Sequence, residues 1–290
     1  MIASMPLLNR DTQLCISIAG QPGDFGVRVH NSGYSALGLN YVYKACGVEE
    51  GRLAAAVAGV RALGVRGMSV SMPHKQAVLD HLDEVDEEAR RIGAVNTVVN
   101  DHGRLTGYNT DAFGLFTCLE KMAPDPKGSV LVLGAGGMAR AVVATLLRYG
   151  FSRVSVVNRS ADRAAALAAD FGIEQVNFSQ RFQLQADILV NATSVGMAPE
   201  AAEIPFHQSQ IEAAGLIVDV PTNPMVTRLV EAAEAAGRQV IPGHRISLWQ
   251  AVRQFELYTG VEAPVAVMEQ AVNELLAELT EPSPKHLRGK

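Results

Sequence analysis

The chain is poor in the features that would tie it to a membrane, a metal, a disulfide frame or a polyanion. Its three cysteines, Cys15, Cys46 and Cys118, are far apart and odd in number. They read as reduced core residues of a cytoplasmic protein. The seven histidines show no ligand spacing, and His74 and His81 stand alone, so no metal site is expected. No apolar run approaches the ~20 residues that cross a bilayer. The first residues lack the basic segment and apolar run of a secretory signal. Only 19% of the residues are charged, the formal net charge is −5, and no basic run precedes Lys285 to Lys290. That balance argues against nucleic acid as a partner. No solenoid repeat is visible. The tail from Pro282 onward is proline-interrupted and charged, and reads as disordered.

What is present is apolar substance, 48% of 290 residues, enough for two domains of ordinary size. The central stretch is Ser129-Val-Leu-Val-Leu-Gly-Ala-Gly-Gly-Met-Ala-Arg140: a short buried strand, a glycine turn, then the start of a helix. Its pattern is G-x-G-x-x-A. Gly134 makes the tight turn, Gly136 lets backbone approach a pyrophosphate, and Ala139 permits close helix packing. Gly137 and Met138 complete the turn, whose free N–H groups at the helix start suit phosphate. Val142, Val143, Leu146 and Leu147 continue a helical apolar face, Gly150 ends it, and Arg153-Val-Ser-Val-Val157 supplies the next strand.

That second strand runs into Asn158-Arg-Ser-Ala-Asp-Arg163, where an NAD-binding unit usually carries an acid for the ribose 2′-hydroxyl. Arg159 stands there instead, and Arg163 follows one helical turn later. A guanidinium gives two parallel bonds to a 2′-phosphate, so NADP is expected over NAD. The plain alternative is that both arginines are solvated surface charges.

The N-terminal part alternates strands at 14–19, 40–44 and 67–70 with helices at 29–37 and near 53–63, which predicts a largely parallel sheet covered by helices. Residues 93–100 and 104–106 read as a hairpin through Asp101-His-Gly103. A helix from about Asp111 to before Pro124 bridges to the glycine-turn unit, with 124–128 as a hinge. Strands near 175–177, 187–190, 216–219 and 239–241 continue that unit. Two last helices, 246–258 and 265–279, are expected to return to the first domain, since a cofactor sheet is already covered by its own helices. The expected division is 1–110 plus 247–290 for substrate and catalysis, and 111–246 for the cofactor.

Ser71-Met-Pro-His-Lys75 directly follows a strand, and Ser71 and Pro73 both mark a helix start. That would put Lys75 in the first turn, where the helix dipole disfavours a cation. A lysine so tuned takes and returns protons near neutral pH. Lys75 also reads as an ordinary surface lysine, and Asp111 as a favourable acid at a helix start.

A family resemblance runs through these same segments. Gly20-Gln-Pro22, Ser71 to Lys75, Gly93-Ala-Val-Asn-Thr97, Gly107-Tyr-Asn-Thr-Asp111, Gly134 to Arg140, Asn158-Arg-Ser160, Asn191-Ala-Thr-Ser-Val-Gly-Met197 and Phe255-Glu-Leu-Tyr-Thr-Gly260 come in the order found in shikimate dehydrogenases. The resemblance covers about residues 13–279. It implies an N-terminal α/β substrate domain, a Rossmann-type doubly wound NADP domain and a cleft between. The implied activity is interconversion of shikimate and 3-dehydroshikimate with NADP. Lys75 and Asp111 are the implied catalytic pair, and Ser71, Asn96 and Gln250 the implied substrate contacts. Gly134, Gly136, Gly137, Met138, Ala139, Asn158, Arg159, Ser160, Arg163, Thr193 and Gly243 are the implied cofactor residues. The partner is a small molecule, with the chain a monomer or homodimer.

Four departures resemble the divergent shikimate dehydrogenase-like subgroup. The family's Ser-x-Ser pair, whose hydroxyls hold the substrate carboxylate, is absent: the segment is Gly23-Asp-Phe-Gly-Val-Arg-Val-His-Asn31. The usual N-V-T is Ser69-Val-Ser71, Thr222 replaces a tyrosine, and Ile246 replaces a methionine beside the nicotinamide. Quinate or another cyclitol acid is therefore an alternative substrate, and a nucleotide sensor without turnover an alternative function. Retention of both Lys75 and Asp111 favours an enzyme.

Overall fold

The computed structural model describes residues 8–280, so the expectation for the tail lies outside the described residues. In chain order the elements are β1 (Gln13–Ala19), α1 (Phe25–Ala36), β2 (Tyr41–Gly47), α2 (Leu53–Ala62), β3 (Gly67–Val70), β4 (Glu84–Val85), α3 (Glu87–Ile92), β5 (Thr97–Asp101), β6 (Arg104–Tyr108) and α4 (Thr110–Met122). They continue with β7 (Ser129–Leu133), α5 (Gly137–Tyr149), β8 (Arg153–Val157), α6 (Ala161–Phe171), β9 (Glu174–Gln175), β10 (Ile188–Asn191), α7 (Gln208–Ala213), β11 (Leu216–Asp219), α8 (Arg228–Ala235), β12 (Gln239–Pro242), α9 (Gly243–Thr259) and α10 (Val265–Thr280).

Two six-stranded sheets result. The second, in order β12-β11-β10-β7-β8-β9, is parallel throughout. Counted from β7, its strands stand 6-5-4-1-2-3, the doubly wound dinucleotide order, and the order reverses between β7 and β10. Val130, Val132, Ile188 and Val190 face one apolar layer, while Leu131, Leu133, Leu189 and Ile217 face the other. This period of two, with both faces covered, explains the continuous apolar runs of these strands.

The first sheet, in order β2-β1-β3-β5-β6-β4, is mixed, not largely parallel. Its strands β2, β1 and β3 are parallel, but β5 runs antiparallel to both β3 and β6. The reason is where the chain re-enters. Val95 N–H donates to Lys75 O at 2.8 Å, so the segment before β5 returns beside the carboxyl end of β3 and must run back. The β5–β6 turn has two successive positive φ values, His102 at 52° and Gly103 at 93°, the geometry of a tight hairpin. Asn100 Oδ1 accepts from Gly103 N–H at 2.7 Å.

The same return corrects the helix expected at Lys75. The Lys75 carbonyl, which an α-helix would give to Leu79 N–H, is taken by Val95, and Leu79 donates to Gln76 O instead. Lys75 therefore sits in a turn before a short 3₁₀ segment, Ala77–His81. The helix-dipole argument for Lys75 falls. The short helices α3, α7 and α8 stand where no helix was expected. Their ends carry local caps: Asp86 and Thr227 side chains accept from Glu88 and Val230 N–H, and Gly93 closes α3 at φ 72°.

The last helices pack on the first sheet. Leu248, Val252 and Phe255 of α9 and Met268 and Val272 of α10 share one apolar cluster with Cys15, Val29, Tyr34 and Tyr43. The α4 helix carries Leu115, Cys118 and Leu119 into the cluster under the second sheet, joined there by Ile246. Where α4 crosses α9 the backbones nearly touch: a Cβ on Gly114 would lie 2.5 Å from Ile246 O and 3.1 Å from Gln250 N. Backbone cannot swing aside as a side chain can. Gly114→Ala should therefore lose ~1–3 kcal/mol of stability by overpacking. Urea unfolding checks this, and an unchanged midpoint would contradict the crossing.

Candidate active site

Asp111 enters the site because α4 begins one residue before it. Asn109 Oδ1 caps that helix by accepting from Ala112 N–H at 3.2 Å, and its Nδ2 donates to Ala94 O at 2.8 Å. The cap thus ties the start of α4 to the loop that returns past Lys75. Lys75 Nζ donates to Asp111 Oδ2 at 2.6 Å, with side-chain exposures of 15% and 3%. The two residues that looked ordinary by spacing are a sheltered ion pair.

Asn96 lies beside them, fully buried. Its Oδ1 accepts from Thr110 N–H at 2.7 Å and lies 3.1 Å from Thr110 Oγ1 and 2.9 Å from Thr97 Oγ1. Its Nδ2 has no partner among the described residues. Ser71 is exposed at the carboxyl end of β3, its N–H donating to Ile18 O. Gln250 lies half-buried on α9, one turn before the buried Gln254. Thr97, Thr110 and Gln254 were not singled out in the sequence. Two of them sit inside the quoted blocks, and helical spacing from Gln250 was the only signal for the third.

The shortened segment after Gly20-Gln-Pro22 forms the first turn of α1. Phe25 is turned to the α1–α9–α10 apolar cluster as a partly buried residue. Gly26 lies close over Tyr43: a Cβ there would meet Tyr43 Cε1 at 3.2 Å. No side-chain hydroxyl is contributed by residues 23–31, in keeping with the absent serine pair.

Across from Lys75 is the glycine turn. Gly134 has φ 124°, and a Cβ there would come within 2.8 Å of Ala192 O, so only glycine fits. A Cβ on Gly136 would meet nothing within 4 Å, which leaves open approach to the backbone. Ala139 is buried against the sheet cluster. The first N–H groups of α5, on Gly137, Met138 and Ala139, have no partner within the helix. At the end of β8, Asn158 Nδ2 donates to Ser160 O at 3.0 Å. Arg159 and Arg163 are exposed and, among the described residues, carry no ion pair. Open glycine backbone, a free helix start and two unpaired guanidiniums together fit a dinucleotide with a 2′-phosphate. Gly137 faces the Lys75 turn: a Cβ there would lie 3.7 Å from Lys75 Cβ. Arg140 Nε reaches over to donate to Ile92 O at 2.5 Å.

The carboxyl ends of β10 and β11 carry a buried polar group. Asn191 Nδ2 donates to Asp219 Oδ1 at 2.8 Å, and Thr227 Oγ1 donates to Asp219 Oδ2. Thr193 Oγ1 donates to Asn191 Oδ1 at 2.6 Å. Gly243 joins β12 to α9 where a Cβ would collide with Val220 O and Pro221 O. Burial pushes the Asp219 carboxyl up to about 6, partly offset by its two donors. Among the described residues no three His, Cys, Asp or Glu side chains gather to hold a metal.

Three family models match in succession. They are the shikimate dehydrogenase substrate binding domain over residues 26–98, shikimate/quinate 5-dehydrogenase over 120–234, and the shikimate 5′-dehydrogenase C-terminal domain over 243–272. A shikimate dehydrogenase-like protein of Haemophilus influenzae is 42% identical over 255 residues, 87% of this chain and 93% of that protein. The crystal structure of Thermus thermophilus shikimate 5-dehydrogenase with NADP(H) and shikimate superimposes with a TM-score of 0.81 at 37% identity, covering 90% of this chain and 99% of that one. The ligand-free 5-ketofructose reductase of a Gluconobacter strain superimposes equally, at 0.81 and 36% identity, covering 92% and 100%.

Asp219 carries a pH signature. Its ordinary value is 3.8, and its folded value is about 6. Between those pH values the folded chain keeps a proton that the unfolded chain has released, so this group's contribution to stability falls as pH rises through the window. The loss is on the order of 3 kcal/mol by pH 7. Asp219→Asn removes it, so the variant's stability relative to the parent should climb from pH 4 to pH 7. Denaturant unfolding at several pH values checks this, and a pH-independent difference would refute it.

Proposed function

The chain belongs to the shikimate dehydrogenase family, and we propose on that premise that it interconverts shikimate, or a close ring polyol acid, and its 3-dehydro ketone with NADP. The sheltered Lys75–Asp111 pair facing the glycine turn carries this reading. A pure nucleotide sensor has no evident need for a proton-transfer pair there.

In the oxidation direction Lys75 Nζ accepts the proton of the substrate hydroxyl, and returns it in reduction. Asp111 fixes the lysine by charge and direction. Asn96 Nδ2 gives the ring a hydrogen bond, with Ser71 and Gln250 as further contacts from β3's end and α9. When bound, NADP supplies the acceptor or donor of the hydride. Gly134, Gly136, Gly137, Met138 and Ala139 would cradle its pyrophosphate. Asn158, Arg159, Ser160 and Arg163 would hold the adenosine 2′-phosphate, while Thr193 and Gly243 would line the nicotinamide side. The inferred division is 1–110 plus 247–290 for the substrate domain and 111–246 for the cofactor domain, of which residues 1–7 and 281–290 lie outside the described ones. It is supported by the clusters themselves: Ile246 packs under the second sheet, Leu248 under the first. Its cysteines are free among the described residues, which fits a cytoplasmic setting.

The missing serine pair favours a second reading of the substrate, a polyol without the carboxylate. A similarly folded protein reduces 5-ketofructose, a neutral ketose. Two lost hydroxyl donors are worth ~0.5–1.5 kcal/mol each.

Lys75→Met keeps the length and removes the base, so kcat should fall by ~10²–10⁴ while the KM for NADP hardly moves. The decisive measurement is kcat/KM for shikimate against analogues lacking the carboxylate, read as absorbance of reduced cofactor. Full activity in Lys75→Met would overturn the base assignment, and preference for the neutral analogue would replace shikimate as substrate. Arg159→Asp should weaken NADP at least ~tenfold while sparing NAD, through loss of a charge-assisted phosphate contact. Equal loss for both cofactors would make Arg159 merely structural.

A further inference from the structure

Asn96 is useful to a substrate only if its amide stands one way round. With oxygen inward it accepts from the α4 start and leaves Nδ2 free to donate; flipped, it would bring a donor against Thr110 N–H. The hydroxyls around it do not settle that orientation by themselves. Thr97 and Thr110 have one proton each, yet their oxygens stand within bonding distance of each other, at 2.9 Å, and both lie near Asn96 Oδ1. Two protons must serve three contacts, and a hydroxyl that points elsewhere leaves Asn96 Oδ1 short of a donor.

Gln254 reinforces the orientation that the Thr110 N–H favours. It is 2% exposed on α9, one turn past Gln250, and reaches the first sheet. Its Nε2 donates to Thr97 Oγ1 at 3.0 Å and to Ser69 Oγ at 3.2 Å. An amide nitrogen is donor only, so Thr97 must accept there and spend its proton on Asn96, directly or through Thr110. The Gln254 amide is oriented in turn. His30 Nδ1 is buried with no partner among the described residues, so a proton there would be an orphaned donor; the proton on Nε2 instead reaches Gln254 Oε1 at 3.3 Å. The ring is fully buried and stacked on Tyr43 at 4.4 Å between centroids and 8° between planes. Burial holds it neutral, with its pKa lowered to about 4, so a single tautomer suffices.

We propose that Gln254 is a positioning residue: a one-way chain His30→Gln254→Thr97→Asn96 locks the Asn96 amide with its nitrogen toward the ring substrate. The inference rests on Asn96 being a substrate contact. It adds a specificity element that is remote from the substrate and anchored in α1 and α9, the helices that cover the first sheet.

The test is steady-state kinetics of the full chain with shikimate and saturating NADP, for Gln254→Met, Thr97→Val and Thr97→Ser, each alone and with Asn96→Ala. Gln254→Met and Thr97→Val should raise the KM for shikimate roughly threefold to tenfold, the equivalent of one neutral hydrogen bond. Thr97→Ser, which keeps the hydroxyl, should stay near the parent, and the KM for NADP should not change. On the Asn96→Ala background, Gln254→Met should add less than about twofold, because the group it positions is gone. An equal loss on both backgrounds would show a general packing role and overturn the proposal, as would an unchanged KM in Gln254→Met. If Gln254→Met fails to fold, the Thr97→Val and Thr97→Ser pair decides by the same criterion. An unchanged KM in Asn96→Ala alone would instead remove the premise, separating the two failures.

Discussion

An ammonium and a carboxylate 2.6 Å apart and nearly closed off from water are an expensive thing to build. Removing either ion from water costs several kcal/mol, and their attraction repays it only when geometry is fixed and remaining polar atoms are satisfied. Much of the surrounding architecture serves that condition. Asn109 caps α4 and binds the Ala94 carbonyl, holding the Asp111 end against the Lys75 turn. The Lys75 carbonyl is itself committed to Val95. Gly114 lets α9 lie against α4 at backbone contact, so the helix that carries Asp111 is pinned one turn beyond it. A buried pair kept at this expense in a cleft is better explained by proton transfer than by stability, since well-packed apolar residues would stabilise as well.

The substrate side of the cleft has changed while this pair has not. Losing the two serines removes direct donors, and the shortened segment places Phe25 against the core instead of the ring. In the proposed reading, recognition falls to the sheet end and to α9: Ser71, Asn96 and Gln250. Each both donates and accepts, which suits ring hydroxyls. Recognition then rests on orientation of uncharged groups, and this is where a buried donor chain behind Asn96 has most effect, because a flipped amide would turn a contact into a repulsion.

The strand-turn-helix around Gly134 was legible because its constraints are local: a positive φ, an open backbone and a small buried Ala139 each name a residue type. The alternation of both sheets and the two last helices were legible from periodicity. The Lys75 turn was not. Ser71 and Pro73 are sound helix-start residues, but the donor that takes the Lys75 carbonyl, Val95 N–H, lies twenty residues on, and tertiary pairing overrode local preference. For the same reason the antiparallel entry of β5 escaped, since direction depends on where the chain comes back. Helices α3, α7 and α8 are short and leave too few apolar turns for a periodic signal, although the caps at Asp86 and Thr227 were in view. The Lys75–Asp111 meeting is a long-range fact, and only the order of the quoted blocks anticipated it.

The last constraint concerns how near the two halves stand. Gly137 of the cofactor cradle faces Lys75 and Ala94 with no room beyond ordinary contact, and Arg140, from the same helix turn, bonds the Ile92 carbonyl at the end of α3. Arg140 also pairs with Asp170 on α6, so one guanidinium ties the cofactor domain's own helices to the substrate domain. The carbonyl it binds belongs to the last turn of α3, whose unsatisfied C=O groups favour a cation. The glycine turn and the Lys75 turn are thus held against each other by the Arg140–Ile92 bond. A Cβ at position 137 would only touch Ala94 and Lys75 at ordinary distance, so it is a side chain longer than alanine that would press on the Lys75 turn. Position 137 on the start of α5 therefore borders the Lys75 turn directly, and its side chain answers to both domains at once.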